Sequence, residues 1–195
     1  LAGIVDKLER LATRPKLPGT PAAAAIAESL EYVWACSAFA ADACLRDEGL
    51  LEWLATQGRL LEHADAAWYA QTADAVTQPG SNDDAAFMSA LRIFRRRQLV
   101  RIAWRDLADH APIEQVLAEL SWLADACINV ACRQAAALLG ARHGLPKDRN
   151  GVELPLLVLG MGKLGGGELN FSSDIDLVFL FAEHGETTGP RPLEQ

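Results

Sequence analysis

The sequence predicts an α+β fold, in which a mostly helical region at residues 1–145 precedes the start of a sheet at residues 146–195. Alanine-rich segments of the first region place apolar residues at helical spacing. In the second region, two short apolar runs flank a glycine-rich segment. The run at 156–159 fits a buried strand, and the run at 175–181 is rich in the branched and aromatic residues that favour strands, with Ile175 and Leu177 expected to anchor it in a core. Two strands cannot bury a sheet face alone, so we expect this sheet to be incomplete.

The helical region divides into successive helices at breaks rich in proline, glycine and polar residues. The segment at 78–84 is predicted to be a loop, and Asp83 or Asp84 is expected to cap the helix that follows it. In the helix at 22–42, a stripe of apolar residues is expected to face a core. The predicted helices lie at residues 4–13, 22–42, 49–56, 59–76, 84–108 and 112–141.

The helix at 84–108 is unusual because it carries many arginines between apolar residues. These arginines are either a solvated cationic face or, for one or two of them, ligands of phosphate or of an acidic partner. Because polar and apolar residues alternate around the whole circumference, some arginines are expected to be buried against carboxylates. The arginines are Arg92, Arg95, Arg96, Arg97, Arg101 and Arg105.

The composition is that of a folded protein: 195 residues, half of them hydrophobic, with a net charge of −8. The acidic pI near 5.0 gives no general attraction to nucleic acid or to an anionic membrane. No apolar run approaches the roughly 20 residues that span a bilayer. The first residue is not Met and no signal peptide is evident, so we expect a cytoplasmic protein and a piece of a longer chain. The four cysteines are expected to be small core residues.

The residues with the clearest chemical pattern are Asp174 and Asp176, which follow five glycines between the two predicted strands. Side chains two apart in a strand project from the same face, so the two carboxylates are expected to lie close together. Such a pair repels unless a cation neutralises it, and Mg²⁺ prefers carboxylate and phosphate oxygens. Glycine allows close approach of an anion to the backbone. The pattern favours a site for a metal and a nucleotide, although Asp174 alone could cap a turn.

Two other glycine motifs fit less well. The run from Gly160 to Gly165 matches the dinucleotide fingerprint, but only nine residues separate Gly165 from Ile175, too few for a crossover helix to a parallel strand. A phosphate-binding P-loop is excluded because Lys163 is followed by Leu164 instead of Ser or Thr.

The run at 160–177, Gly-Met-Gly-Lys-Leu-Gly-Gly-Gly-Glu-Leu-Asn-Phe-Ser-Ser-Asp-Ile-Asp-Leu, closely resembles the bifunctional glutamine synthetase adenylyltransferase/adenylyl-removing enzymes. The arginine-rich run at 91–107 resembles the helical signature of the same family. Within that family, the chain is most similar to the N-terminal, adenylyl-removing copy of two nucleotidyltransferase domains. The resemblance implies that residues 146–195 begin a polymerase-β-like nucleotidyltransferase domain, truncated here.

The resemblance also implies a function: phosphate cleaves the bond between AMP and a tyrosine of glutamine synthetase and releases ADP. Asp174 and Asp176 would be catalytic and would bind Mg²⁺, while a third carboxylate would lie beyond residue 195, so the chain alone is expected to have little activity. Implied partners are adenylylated glutamine synthetase, nucleotide, phosphate and a PII-type signalling protein. The implied nucleotide-binding residues are Gly162, Lys163, Gly165, Gly166, Ser172 and Ser173.

Several alternatives remain at this stage. Transfer of AMP from ATP uses the same parts in reverse, and the sequence alone does not fix the direction. A non-catalytic docking module with a structural nucleotide-binding domain is a second class, and an NAD-binding oxidoreductase is a third. Lys163 either supplies positive charge to the site or is a solvated loop residue, and Ser172 and Ser173 either donate to phosphate or cap the strand.

Overall fold

The computed structural model describes residues 6, 7, 9, 17–182, 186, 187 and 189–191. It is mostly helical with a few short strands, which confirms the predicted α+β class. The helices are α1 (Pro21–Cys36), α2 (Ala38–Arg46), α3 (Leu50–Thr56), α4 (Ala66–Thr77), α5 (Asp84–Leu107), α6 (Ile113–His143) and α7 (Gly162–Gly165). The strands are β1 (Pro146–Lys147), β2 (Leu157–Gly160), β3 (Leu177–Leu180) and β4 (Glu186–Thr187).

The chain forms two compact units. Unit 1 comprises residues 1–65 and 93–120, and unit 2 comprises residues 66–92 and 121–195, as far as these are described. The division falls within the two long helices α5 and α6. The predicted domains at 1–145 and 146–195 stay a prediction, because compactness alone does not define the ends of a nucleotidyltransferase domain.

The single helix predicted at 22–42 is wrong, because the structure breaks it at Ser37. The backbone of Ser37 is extended (φ −134°, ψ 97°), and its Oγ accepts a hydrogen bond of 3.2 Å from the amide of Ala40. Serine is a favoured N-cap and competes with the helical backbone for hydrogen bonds. One predicted helix is therefore two, α1 and α2. The helix predicted at 4–13 falls largely outside the described residues.

The helix predicted at 59–76 begins later than expected, at Ala66. Arg59 has a φ of +49°, and the segment at 58–62 forms turns and bends. Carbonyls that a helix would use internally accept instead from the side chains of Arg101 and Arg105. A periodic apolar pattern does not reveal such partners, which are about 40 residues away in sequence.

Two arginines of α5 are buried in unit 1, which confirms the expectation that some are paired with carboxylates. Arg101 and Glu119 form an ion pair in which neither side chain is more than 1% exposed. Arg101 also donates to the carbonyls of Gly58 (2.6 Å) and Glu62 (2.8 Å), and Arg105 donates to that of Leu60 (2.7 Å). These two guanidinium groups are enclosed by protein atoms and do not face a phosphate ligand.

The apolar core of unit 1 joins α1, α2 and α3 to one side of α5. Trp104 of α5 is fully buried, and its Nε1 donates to Ser29 Oγ on α1 at 2.8 Å. The expectation of four core cysteines is confirmed for Cys44, which belongs to this core, and is wrong for Cys36, which is exposed. Cys127 and Cys132 of α6 are only partly buried. The central members of the core are Ile26, Val33, Trp34, Leu50, Leu54, Leu60, Val100 and Trp104.

In unit 2, the predicted loop at 78–84 is confirmed and is held by the buried side chain of Gln134 on α6. Its Oε1 accepts from the amide of Gly80 at 2.7 Å, and its Nε2 donates to the carbonyl of Ser81 at 3.0 Å. Asp83 caps α5 as predicted, since its Oδ1 accepts from the amide of Ala86 at 2.9 Å. The loop and the start of α5 are thereby fixed to α6.

Unit 2 also contains two small antiparallel sheets, β1 with β4 and β2 with β3. The two predicted apolar strands correspond to β2 and β3, but the expectation that they are buried is wrong. Leu157 and Leu159 of β2 are 50% and 48% exposed, and Phe179 of β3 is 55% exposed. Two strands alone have too few neighbours to cover their side chains. None of the described helices is long and apolar enough to cross a membrane.

Replacing Glu119 by Ala is expected to reduce the free energy of unfolding by about 3–5 kcal/mol, because it leaves buried guanidinium charge without its carboxylate. The matched control is Glu62→Ala, which removes an exposed partner of Arg59 and keeps the carbonyl that accepts from Arg101. An exposed pair contributes less than about 1 kcal/mol. Urea unfolding of both variants measures the difference, and similar losses would contradict a special role for the buried pair.

The ion pair of Asp47 with Arg97 predicts a pH dependence of stability. Arg97 donates to both carboxylate oxygens, at 2.8 and 3.0 Å, and these hydrogen bonds lower the pKa of Asp47. Because the folded pKa lies below the unfolded value of about 3.9, the stabilisation is present above about pH 4 and is lost as the pH falls further. We expect wild type to be more stable than Asp47→Asn at pH 7, with the difference shrinking below pH ~4. A difference that is independent of pH would contradict this assignment.

Candidate functional site

The candidate site lies on the connection between β2 and β3 in unit 2. The two strands are antiparallel, with Gly160 opposite Leu177 at the end of the ladder. One further hydrogen bond, from the amide of Met161 to the carbonyl of Asp176 at 2.9 Å, extends the pairing past the strands. The connection therefore leaves and returns at the same end of the hairpin, and Asp176 is fixed at its return.

Two glycines of this connection need a left-handed backbone. Gly162, which begins α7, has a φ of +56°, and Gly167, just past its end, has a φ of +71°. The amide of Gly167 donates to the carbonyl of Leu164 at 3.0 Å, and the amide of Glu168 donates to that of Lys163 at 2.8 Å. This pair of hydrogen bonds is the Schellman arrangement that ends helices at a left-handed glycine.

Gly165 and Gly166 differ in what the fold requires of them. A Cβ on Gly165 would lie 2.4 Å from the carbonyl oxygen of Gly160, so only glycine fits there. A Cβ on Gly166 would come no closer than 3.6 Å to another atom, and its φ of −81° suits any residue. The local structure thus explains glycine at position 165 and leaves glycine at position 166 unexplained.

Three amides of the glycine-rich turn donate hydrogen bonds within the turn itself. Those of Gly165, Gly166 and Gly167 donate to the carbonyls of Met161, Gly162 and Leu164. We expected glycines to bring such amides close to an anion, but here these three amides stabilise α7 and its end. A nucleotide at this turn would instead benefit from the absence of side chains.

The loop after α7 is anchored by buried contacts. Leu164 and Leu169 are each 7% exposed, and Ser121 of α6 is 3% exposed. Ser121 Oγ accepts a hydrogen bond of 3.1 Å from the amide of Leu169. Nothing in the sequence singled out Ser121, because a serine within a helix has no motif that indicates a partner 48 residues later.

Asn170 organises the next turn, and it uses both predicted serines. Its Oδ1 accepts from the amide of Ser172 at 3.2 Å, from Ser172 Oγ at 3.4 Å and from Ser173 Oγ at 2.7 Å. Asparagine side chains often form turns of this kind with the backbone two residues on. The two hydroxyls therefore donate to Asn170 in this structure, and their assignment to a nucleotide stays a prediction.

Asp174 and Asp176 are both exposed and precede β3 instead of lying within it. The expectation that Ile175 anchors the segment in a core is wrong, because Ile175 is 42% exposed and only Leu177 is half-buried. Lys163 lies exposed on α7. Among the described residues, no group of three or more His, Cys, Asp and Glu could hold a metal ion, and the assignment of a metal to Asp174 and Asp176 stays a prediction.

The geometry excludes the dinucleotide interpretation of the glycines. That fold requires a parallel strand and a crossover helix of about a dozen residues. Here β2 and β3 are antiparallel, and α7 spans only Gly162–Gly165.

Comparisons with known proteins agree with the observed motifs. Residues 27–194 match the family model described as glutamate-ammonia ligase adenylyltransferase. The chain is 46% identical to a bifunctional glutamine synthetase adenylyltransferase/adenylyl-removing enzyme of Thioalkalivibrio sulfidiphilus. This match extends over 167 residues, or 86% of the chain. It is 50% identical over 112 residues, 57% of the chain, to the enzyme of the same description from Shewanella loihica. The chain spans only 17% and 12% of the lengths of these two relatives.

Alanine substitutions at Gly165 and Gly166 are expected to reduce the free energy of unfolding by different amounts. Gly165→Ala forces a Cβ against the backbone of Gly160 and is expected to cost about 1–3 kcal/mol, as overpacking does. Gly166→Ala has room and an ordinary φ, so its effect is expected to stay within about 0.5 kcal/mol. Urea unfolding, with amide hydrogen exchange of β2 and β3, measures both. Equal destabilisation by the two variants would show that the turn differs from this geometry.

Proposed function

The chain belongs to the glutamate-ammonia ligase adenylyltransferase family, and from this we propose that its β2–β3 hairpin carries part of the active site that removes AMP from a tyrosine of glutamine synthetase. Phosphate is the proposed attacking group and ADP the product. The choice of removal over transfer of AMP rests on the resemblance of residues 160–177 to the adenylyl-removing copy of the family's two nucleotidyltransferase domains.

One observation carries the proposal: two exposed carboxylates lie on the segment that leads into β3, and hydrogen bonds hold the backbone of this segment at both ends. Asp174 and Asp176 face solvent, and the carbonyl of Asp176 accepts from the amide of Met161. Within the described part of the chain neither carboxylate forms an ion pair, so both are suited to a ligand that brings positive charge.

The chemistry of these donors fits Mg²⁺, which takes one or two carboxylates and completes its shell with water and phosphate oxygens. Asp174 and Asp176 would hold the metal through their carboxylate oxygens. When bound, Mg²⁺ neutralises charge on the phosphoryl group that is transferred. The two aspartates would determine the position of the metal, and the β2–β3 hairpin holds the two aspartates in place.

Gly166 supports a nucleotide at this turn, because the fold itself does not need glycine there. We propose that the nucleotide approaches the backbone of Gly165 and Gly166 where a side chain would obstruct it. Gly162 shapes the start of α7 through its left-handed backbone, and Lys163 on the same turn supplies positive charge. Ser172 and Ser173 would act through Asn170, by keeping the segment before Asp174 in one conformation.

In the proposed reaction, an oxygen of inorganic phosphate forms a bond to the phosphorus of the AMP group. The bond from that phosphorus to the tyrosine oxygen breaks, and the tyrosine hydroxyl is restored with the proton that phosphate gives up. The products are ADP and unmodified glutamine synthetase. Attacking and leaving oxygens must lie in line, so the position of the phosphorus decides the rate.

The proposal includes partners and a location beyond the site itself. Adenylylated glutamine synthetase, nucleotide and phosphate are the proposed reactants, and a PII-type signalling protein is the proposed regulator. All of these suit a cytoplasmic enzyme.

The test uses the full-length protein with adenylylated glutamine synthetase, phosphate and Mg²⁺, and follows ADP release. Asp174→Asn/Asp176→Asn removes two charges with little change of shape, so it is expected to lower the rate by at least about a hundredfold without a large change in melting temperature. The control is Glu153→Gln, which neutralises an exposed carboxylate of the same unit and should keep the wild-type rate.

The outcomes separate the candidate functions. ADP release by both the wild type and the double variant would place the chemistry outside this hairpin. No ADP from the wild type, together with AMP transfer from ATP that the double variant lacks, would assign the hairpin to the transferring reaction. Unchanged behaviour of the double variant in both assays would favour a docking module.

A further inference from the structure

We propose that Ser121 of α6 is a positioning residue for the Asp174 and Asp176 carboxylates. Its hydroxyl holds one end of the loop that carries them, and through that loop it sets how well the pair binds a divalent cation. This inference rests on the proposed function of the aspartate pair. Ser121 itself touches neither nucleotide nor metal in the proposal.

The contact is buried and specific. Ser121 is 3% exposed and Leu169 is 7% exposed, and Oγ of the first accepts from the amide of the second at 3.1 Å. Ser121 lies on a stretch of α6 that also buries Leu123 and Ala126, where apolar packing is the rule. A buried hydroxyl is costly unless it is hydrogen bonded, and so is a buried amide. Each group satisfies the other here.

The contact lies at the one point where the loop changes partners. From Gly165 to Glu168, the amides of the connection donate within α7 and its end. From Asn170 onward, the turn is organised by the Asn170 side chain, whose Oδ1 accepts from Ser172 and Ser173. The amide of Leu169 between these two segments donates to α6, so Ser121 ties the local turns to a long helix.

The aspartate segment is thus held by two hydrogen bonds to elements outside itself. At its start the amide of Leu169 donates to Ser121, and at its end the carbonyl of Asp176 accepts from Met161. Asp174 lies between these two anchors and is exposed. If the first anchor is lost, the start of the segment keeps the packing of Leu169 but loses its hydrogen bond to α6, so Asp174 is positioned less tightly relative to Asp176.

The expected effect of substituting Ser121 is therefore on the affinity for the divalent cation, because residues that position metal ligands influence how tightly the metal binds. Changes at such residues commonly weaken metal binding by 10–100-fold. We expect Ser121→Ala to raise the Mg²⁺ concentration for half-maximal ADP release by about tenfold, at the lower end of that range. Deuterium exchange of amides 169–176 is expected to become faster in the protein without metal.

The experiment compares three substitutions at this position in the full-length protein. Ser121→Ala removes the acceptor, Ser121→Cys keeps the volume but accepts weakly, and Ser121→Thr keeps the hydroxyl. The readouts are the Mg²⁺ requirement of ADP release, Mn²⁺ binding measured by electron paramagnetic resonance, and deuterium exchange of 169–176. Ala and Cys should weaken cation binding alike, and Thr should restore most of it. If Ser121→Ala fails to fold, the comparison of Cys with Thr decides.

The matched control is Ser29→Ala in unit 1. Ser29 also accepts a hydrogen bond from another helix, from Trp104 Nε1 at 2.8 Å. This variant is expected to lower the melting temperature and to leave the Mg²⁺ requirement unchanged, as a purely structural serine would.

Two results overturn the inference, and they are distinguishable. If Asp174→Asn/Asp176→Asn abolishes ADP release while the Ala and Cys variants keep wild-type cation binding and exchange, the role of Ser121 fails and the proposed function stands. If the double aspartate variant still releases ADP with the wild-type Mg²⁺ requirement, both fail together.

Discussion

Buried backbone groups must be hydrogen bonded, and both units satisfy this requirement outside regular helices and strands with long-range side-chain contacts. In unit 1, the turns at 58–62 leave carbonyls unpaired, and the guanidinium groups of Arg101 and Arg105 donate to them. In unit 2, the loop after α7 would leave the amide of Leu169 unpaired, and Ser121 accepts from it. Irregular segments become well defined in both cases because a helix supplies the missing partner.

The same requirement explains which groups of the hairpin remain for a ligand. The amides of Gly165, Gly166 and Gly167, the Asn170 Oδ1 and the two serine hydroxyls have partners within the connection. The carboxylates of Asp174 and Asp176 face solvent. These internal hydrogen bonds hold the loop in one conformation before a ligand arrives, which reduces the entropic cost of binding.

The sequence predicted well what depends on neighbouring residues. The long helices α5 and α6, the Asp83 cap and the two strands follow from periodicity, capping preferences and apolar runs. The break at Ser37 and the late start of α4 were missed, because an alternative hydrogen bond overrides helical periodicity there. For the site, the sequence identified the aspartates and glycines but misjudged the glycine amides. It gave no sign of Ser121, whose partner is distant in the chain.

The buried cluster of Arg101, Arg105 and Glu119 also restricts how this family can diverge. A single substitution that removes one of the three side chains leaves an unpaired charge or unpaired carbonyls in the interior of the protein. Such residues are expected to be exchanged as a set, together with the turn at 58–62 that they support. A relative that lacks the carboxylate should therefore have lost the arginines as well and carry a helix or a shorter connection where this chain has turns.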